Sequence, residues 1–329
     1  MKIRKYILFA VLLLVLPLSI AFNSSAKGGG TVLSETTGRT TILCVGLDEA
    51  AGNTDVLMLV TIDPAGKEIT VLQIPRDTFL YANTLQGKIN QMYPAYRGAG
   101  HDHKTALSLL AADISEAFGV EIDHYAAVEF SSIAYLVDRF GGLNVRVPSD
   151  ILLGDKTIQA GDRLLTGDDA LAFIRHRVGY VEGDLGRLDA QKLLLISAYR
   201  KLKNDISLGN LLRMMPDFYK QIVTDMSLSR QILLACSYAR GRADYIVRLV
   251  TLPGAATRAD GDEGTWYYIA NKKAAGEVLE RYFCASHFDV FGRMNDNSRP
   301  HIAAIYEDNA VAYTVYTEET IDNLEIKTK

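Results

Sequence analysis

Cysteine is scarce in this chain. Cys44, Cys236 and Cys284 are the three in 329 residues, none at CxxC spacing and none beside a histidine cluster. That excludes a disulfide framework, and each cysteine, lying in an apolar run, is expected as a small buried hydrophobe. An excess of positive charge is also missing. The net charge is −4, and Lys2, Arg4 and Lys5 alone contribute +3, so the rest of the chain carries −7. A mildly acidic body without a basic recognition helix is a poor partner for nucleic acid, and any anion site must be local. Internal repeats and long low-complexity stretches are absent as well.

What remains is an ordinary globular composition, 48% apolar and 22% charged. It is preceded by a different kind of segment. Residues 1–26 open with a basic flank and then run uncharged from Tyr6 to Phe22. As a helix those 17 residues span roughly 25 Å, slightly short of a bilayer core of about 30 Å. The expectation is a single-pass signal-anchor with its basic flank in the cytoplasm and the bulk of the chain outside; a cleaved signal peptide is the competing reading. Residues 27–40, rich in Gly, Ser and Thr, read as a flexible linker.

The globular part, 41–285, interleaves strands and helices. Thr41–Leu47, Val56–Ile62 and Glu68–Pro75 are nearly continuous apolar runs, as strands buried on both faces should be. Helical periodicity marks Lys104–Phe118, ended by Gly119, and Ser131–Phe140, stopped by Gly141 and Gly142. Further strands are expected at Tyr125–Phe130, Leu143–Val147 and Tyr245–Leu252, and a surface hairpin over Thr157–Leu165. Helices are expected at Asp189–Asn204, Leu208–Thr224, Ser229–Arg240 and Lys272–Phe283. The alternation argues for one α/β domain with helices on both faces of a sheet. Residues 286–329 are less regular and read as a C-terminal tail.

One stretch organises the chemistry. Between Ala170 and Gln191 an apolar run, Ala170–Ile174, leads into Arg175, His176 and Arg177, followed by Asp184, Arg187 and Gln191. Clustered cations repel one another unless an anion lies between them, and arginine forks suit phosphate or carboxylate. Asp48 closes the first strand and Asp55 opens the second, so a short loop presents a carboxylate at each mouth. Two such acids are stable together with a proton or a hard cation between them. Pro75-Arg76-Asp77-Thr78 follows the third strand, and Lys88-Ile89-Asn90 sits in a loop with Tyr93 and Tyr96. Acids for a metal together with cations for phosphate are the equipment of phosphoryl transfer, which is chiefly positioning and charge neutralisation.

These blocks, in this order, resemble the LytR-CpsA-Psr family. They are Gly46-Leu47-Asp48, Thr54-Asp55, Ile74 to Thr78, Lys88-Ile89-Asn90, Gly141-Gly142-Leu143, Ala170 to Arg177, and Asp184-Leu185-Gly186-Arg187 with Gln191. The resemblance covers roughly residues 41–283. It implies a three-layer α/β/α sandwich with a central mixed sheet, behind one N-terminal transmembrane helix. It further implies an extracytoplasmic transferase of the cell envelope. Such an enzyme moves a glycopolymer, teichoic acid or capsular polysaccharide among them, from a polyprenyl-pyrophosphate carrier onto peptidoglycan. Asp48 and Asp55 would hold Mg²⁺, or Mn²⁺ in its place. Arg76, Lys88, Arg175, Arg177, Arg187 and Gln191 would hold the pyrophosphate, and Asp48, Asp55, Arg76 and Arg175 would act in catalysis. Leu80 and Ala190 stand where some members carry arginine, so the site is less cationic here. The lipid would lie along Leu193, Leu194, Leu195 and Ile196 with Leu211, Leu212, Met214 and Met215.

Two other readings compete, the first using the same residues and the second only the arginines. A pyrophosphatase would hand the lipid pyrophosphate to water. A non-catalytic, regulatory binder of envelope lipids would keep the arginines and have no need of Asp48 and Asp55.

Overall fold

The computed structural model describes residues 38–47, 54–81, 86–153, 156–177, 179–241, 244–258, 265–292 and 311–328. The expected anchor, most of the linker, Asp48 and the side chain of Cys236 therefore lie outside the described residues. Among the described residues no helix is long and apolar enough to cross a membrane.

In chain order the elements begin with strands β1 (Thr40–Leu47), β2 (Thr54–Asp63), β3 (Glu68–Ile74), β4 (Phe79–Tyr81) and β5 (Gln86–Lys88). Helices α1 (Met92–Gly98) and α2 (His103–Phe118) follow, then β6 (His124–Glu129), α3 (Phe130–Arg139), β7 (Leu143–Val147), β8 (Ile151–Leu153), β9 (Lys156–Ile158) and β10 (Gly161–Leu165). Next come α4 (Gly167–Arg175), α5 (Asp184–Asn204), α6 (Leu208–Tyr219), β11 (Ile222–Thr224) and α7 (Leu228–Gly241). The chain closes with β12 (Ile246–Thr251), β13 (Gly254–Arg258), β14 (Trp266–Ala270), α8 (Lys272–Phe283) and β15 (Tyr316–Thr317).

Seven strands form the central sheet in the order β11-β6-β1-β2-β3-β12-β15. It is mixed. β1, β2 and β3 run antiparallel to their neighbours in that trio, whereas β6 is parallel to β1 and β12 parallel to β3. The apolar runs are continuous because both faces are covered. Ile42, Cys44, Val56 and Met58 enter one hydrophobic layer with residues of α3, α4, α5 and α6. Leu43, Val45, Leu57 and Leu59 enter the other with residues of α1, α2 and α8. Alternation across the pleat thus splits one strand between two cores. The result is the α/β/α sandwich that the family resemblance implies.

Several expectations need correction. Thr157–Leu165 is not one hairpin: β9 pairs back with β8, and β10 pairs with β7. The turn between them holds Gly161 at φ 95°, a conformation that suits glycine. The helix expected to reach Thr224 stops at Tyr219, and Ile222–Thr224 pairs with β6 as an edge strand, as β-branched residues favour. Helix α5 begins at Asp184, a full turn before the apolar periodicity that marks it in sequence. Cys284 is exposed rather than buried. It occupies the left-handed cap after α8, which turns its side chain away from the core, and its Sγ accepts from Arg39 Nη1 at 2.5 Å.

Candidate functional site

Sheet topology brings the charged blocks to one edge. In the β2–β3 register Leu57 faces Ile74. Continuing that antiparallel register by two residues sets Asp55 opposite Arg76, and Arg76 Nη1 does donate to Asp55 Oδ1 at 2.7 Å. β12, parallel to β3, ends at Thr251 beside Gln73. The ends of β1, β3, β6 and β12 and the start of β2 therefore share one edge, where α/β proteins commonly bind ligands.

Helix α4 points its last turn there. Thr166 starts it with a capping box, its Oγ1 accepting from Asp169 N at 3.3 Å. The helix ends at Arg175, and its apolar positions Ala170–Ile174 are buried. His176, Arg177 and residues 179–183 lie between α4 and α5. Gly183 takes φ 57° and ψ −110°, which a residue with a Cβ resists. Gly186 packs so closely that a Cβ there would lie 2.7 Å from Tyr180 Cβ.

The consequence is a ring of charge around Asp184. Arg187 Nη2 lies 3.0 Å from Asp184 Oδ1, Arg177 Nε 3.6 Å and Arg76 Nε 3.8 Å. Arg187 also donates to the Asp55 carbonyl at 3.4 Å. Lys88 Nζ sits 2.9 Å from Asp77 Oδ1 and over the Tyr267 ring. Arg76, Lys88, Arg177 and Arg187 are thus brought together with Asp55, as expected from sequence. Arg175 stands at the end of α4, two residues before Arg177. Gln191 is fully buried behind them, its Nε2 reaching the Ile174 carbonyl at 3.5 Å and its Oε1 receiving Gln73 Nε2 at 3.5 Å.

Electrostatics at this edge are strained in one direction. Arg187 is 2% exposed, and burial pulls its guanidinium below its ordinary range, with Asp184 opposing and Arg177 and Arg76 reinforcing the pull. Arg76 is also desolvated, but its hydrogen bond with Asp55 and the charges of Asp184, Asp55 and Asp77 outweigh that and raise it. Four cations, Arg76, Lys88, Arg177 and Arg187, face the three carboxylates of Asp55, Asp77 and Asp184, so these named groups carry one net positive charge. Arg76 Nε and Arg187 Nε are buried donors with no hydrogen-bond partner among the described residues. The acceptor Asp184 Oδ1 beside them is likewise without a hydrogen-bond partner among the described residues, and buried donors of this kind cost folding free energy unless an acceptor completes them.

His176 is not the third cation of its cluster. Burial lowers its pKa, and its Nε2 accepts from Gly179 N at 3.1 Å, so it is neutral near pH 7 and holds the turn. Sequence reasoning left Asp184, Asp77 and Gln73 out of the candidate set. Asp184 carried a usable signal, lying three residues before Arg187 on one helix face; Gln73, buried in β3, carried none. Leu80 and Ala190 are both fully buried. Leu193–Ile196, Leu211 and Met215 belong to the hydrophobic layer over the sheet, with Leu212 and Met214 packed against it.

No group of three or more metal-ligating side chains converges among the described residues. The donor chemistry still suits a hard cation, because Mg²⁺ is commonly held by one or two carboxylates with water and substrate phosphate supplying the rest. Asp55 offers such a carboxylate, and Asp48 lies outside the described residues.

The fold and this edge define an α/β/α protein with a cluster of arginines, a lysine and acids at the end of its sheet. The chain belongs to the LytR_cpsA_psr family, whose model matches residues 19–283. Among similar proteins, the cell wall biosynthesis protein LcpA of Corynebacterium glutamicum is 28% identical over 240 residues, covering 66% of this chain and 46% of that protein. The chain thus spans less than half of LcpA. The polyisoprenyl-teichoic acid–peptidoglycan teichoic acid transferase TagU of Oceanobacillus iheyensis is 27% identical over 243 residues, covering 72% of this chain and 73% of that one. The crystal structure of TagV from B. subtilis superimposes with a TM-score of 0.63 at 22% identity, over 76% of this chain and 99% of that one, and supports the fold.

Proposed function

We propose that this protein is a phosphotransferase that moves a glycopolymer from a polyprenyl-pyrophosphate carrier onto peptidoglycan, anchored in the cell membrane by residues 1–26 with its catalytic domain outside. The observation that carries the reading is the surplus of guanidinium around Asp184, with buried Nε donors on Arg76 and Arg187 left for an acceptor. The names of LcpA and TagU support cell-wall polymer attachment as the class of reaction.

Arg76, Lys88, Arg175, Arg177 and Arg187 neutralise the pyrophosphate and hold it at the sheet edge. A sugar hydroxyl of the acceptor attacks the phosphorus that bears the glycan. The new O–P bond forms as the bridging P–O bond to the lipid phosphate breaks, and polyprenyl phosphate leaves with the bridging oxygen. The Asp55 carboxylate takes the hydroxyl proton. Arg76 and Arg187, fixed before the substrate arrives, stabilise the charge that builds on the leaving phosphate. Mg²⁺, held by Asp55 and Asp48, would supply further charge neutralisation when bound. Gln191 sets the spacing between α4 and α5 by spanning Ile174 and Gln73. The polyprenyl chain lies along the apolar layer of α5 and α6.

The test is turnover by the full chain in detergent, given a polyprenyl-pyrophosphate oligosaccharide, Mg²⁺ and a peptidoglycan fragment, with products identified by mass spectrometry. Ligated glycan–peptidoglycan is expected, abolished by EDTA and by Arg175→Ala. Release of free glycan phosphate alone would replace the transferase by a pyrophosphatase, and bound lipid without turnover would replace it by a lipid-binding protein.

A further inference from the structure

The family match ends at residue 283, yet the chain beyond it is built into the body next to the site. β15 pairs with β12 at the sheet edge. Ile321 and Leu324 are buried in the layer that holds α5. Val181 N donates to the Lys327 carbonyl at 2.9 Å, which fastens the end of the chain to the loop before α5. Between α5 and residues 311–316 this arrangement leaves a pocket of about 290 Å³.

We propose that this pocket is a sugar subsite serving one of the two substrates, and that the segment after the family match is what builds it. The proposal rests on the transferase reading for the source of the sugar, and on the pocket itself for its chemistry. The lining combines tyrosines 268, 313 and 316 with Glu182, Asp189 and Thr314. A pyranose has a face of C–H bonds and a rim of hydroxyls. Aromatic faces pack against the first, and carboxylates and hydroxyls hydrogen-bond the second. Glu182 and Asp189 keep their charge balanced by Lys327 at 3.8 Å and Lys192 at 2.6 Å. Each carboxylate retains lone pairs for a sugar hydroxyl, since it offers about four acceptor positions. Lys192 Nζ sits over one face of the Tyr316 ring at 5.6 Å.

The pocket shares its inner wall with the phosphate site. Tyr268 N donates to the Asp77 carbonyl at 2.8 Å, and Asp77 is the partner of Lys88. Thr251, another lining residue, donates to Gln73 Oε1 at 3.4 Å, and Gln73 in turn reaches Gln191. Glu182 lies two residues before Asp184. A sugar seated here is adjacent to the pyrophosphate, where both the glycan leaving the carrier and the glycan receiving it must pass.

The experiment uses the full chain in detergent and calorimetric titration with three probes: a soluble peptidoglycan tetrasaccharide, a polyprenyl-pyrophosphate disaccharide, and polyprenyl pyrophosphate without sugar. Tyr313→Ala and Glu182→Gln are compared with the parent, Tyr313→Phe serves as the conservative control, and urea midpoints check that each folds. Binding weaker by about five- to tenfold is expected in Tyr313→Ala. Tyr313→Phe should stay within twofold of the parent. Weakening confined to the tetrasaccharide assigns the pocket to the acceptor. Weakening confined to the disaccharide lipid, with the bare lipid unchanged, assigns it to the donor. Unchanged binding of both sugars in Tyr313→Ala and Glu182→Gln overturns the proposal. Turnover is read separately: lost sugar binding without transfer in the parent leaves the pocket standing and removes the transferase reading, whereas transfer with unchanged sugar binding does the reverse.

Discussion

Helix α5 is charged at both ends, and the two ends are wired differently. Toward its C-terminus a cavity of about 640 Å³ lies against β7 and β10, lined by Arg146, Arg200, Lys201 and acids. There the charges are matched. Arg200 forks onto Asp322 at 3.0 and 3.1 Å, Lys201 meets Asp205 at 3.0 Å, and Arg146 donates to the Asp322 carbonyl at 2.7 Å. At the N-terminus, Arg76, Arg177 and Arg187 converge on one Asp184 carboxylate, and two guanidinium nitrogens remain unbonded among the described residues. The cavity at the C-terminal end is thus lined by charges that are already matched. On the proposed function, the less balanced end is the one that takes the pyrophosphate.

The widest separation between the two ends should appear in turnover. Arg76→Ala is expected to lower kcat/KM by about 10²- to 10³-fold, because it removes a preorganised cation from the developing charge. Arg200→Ala, the matched change at the other end, should leave kcat/KM within twofold; a loss comparable to that of Arg76→Ala would erase the distinction. Stability should separate them next. Asp184→Asn strands the buried Arg187 and should cost about 2–3 kcal/mol in urea unfolding, discounted for the partial exposure of Asp184. Asp322→Asn, exposed, should cost under about 1 kcal/mol.

Smaller effects test how the N-terminal end is shaped. Gly186→Ala drives a methyl into Tyr180 and should cost about 1–3 kcal/mol, read as a lowered Tm. The smallest concerns pH. Burial lowers the His176 pKa in the folded state, so the unfolded chain binds the proton first. The stabilisation is complete above about pH 6.5 and is lost as pH falls through the lower folded value. His176→Gln should flatten the Tm-versus-pH curve below pH 6.5, and an unchanged slope would remove His176 as its source.

Much of this was legible in the chain. Strand runs at β1, β2 and β3 read correctly because burial on both faces makes them continuously apolar. Gly119 and Gly141–Gly142 marked helix ends because each takes positive φ. Short pairings were not legible: β4 with β5, β8 with β9, and β13 with β14 are two-stranded ribbons whose partners are chosen by packing, not by pattern. The start of α5 was missed because its first turn is polar and faces the site rather than a core. Asp184 and Asp77 went unassigned because single acids beside arginines look like solvated surface until distances are known.

Composition, apolar runs and the ordered blocks determined by themselves the sandwich class, the family and most of the cation set, since strand burial and short-range motifs are written locally. Which carboxylate each arginine meets, that His176 is neutral, and that residues 311–316 line a pocket against α5 were decided by the tertiary structure. Those properties depend on the β2–β3 register, the turn through Gly183 and the docking of the chain's end, and each joins groups distant in sequence through desolvation and distance that no local pattern encodes.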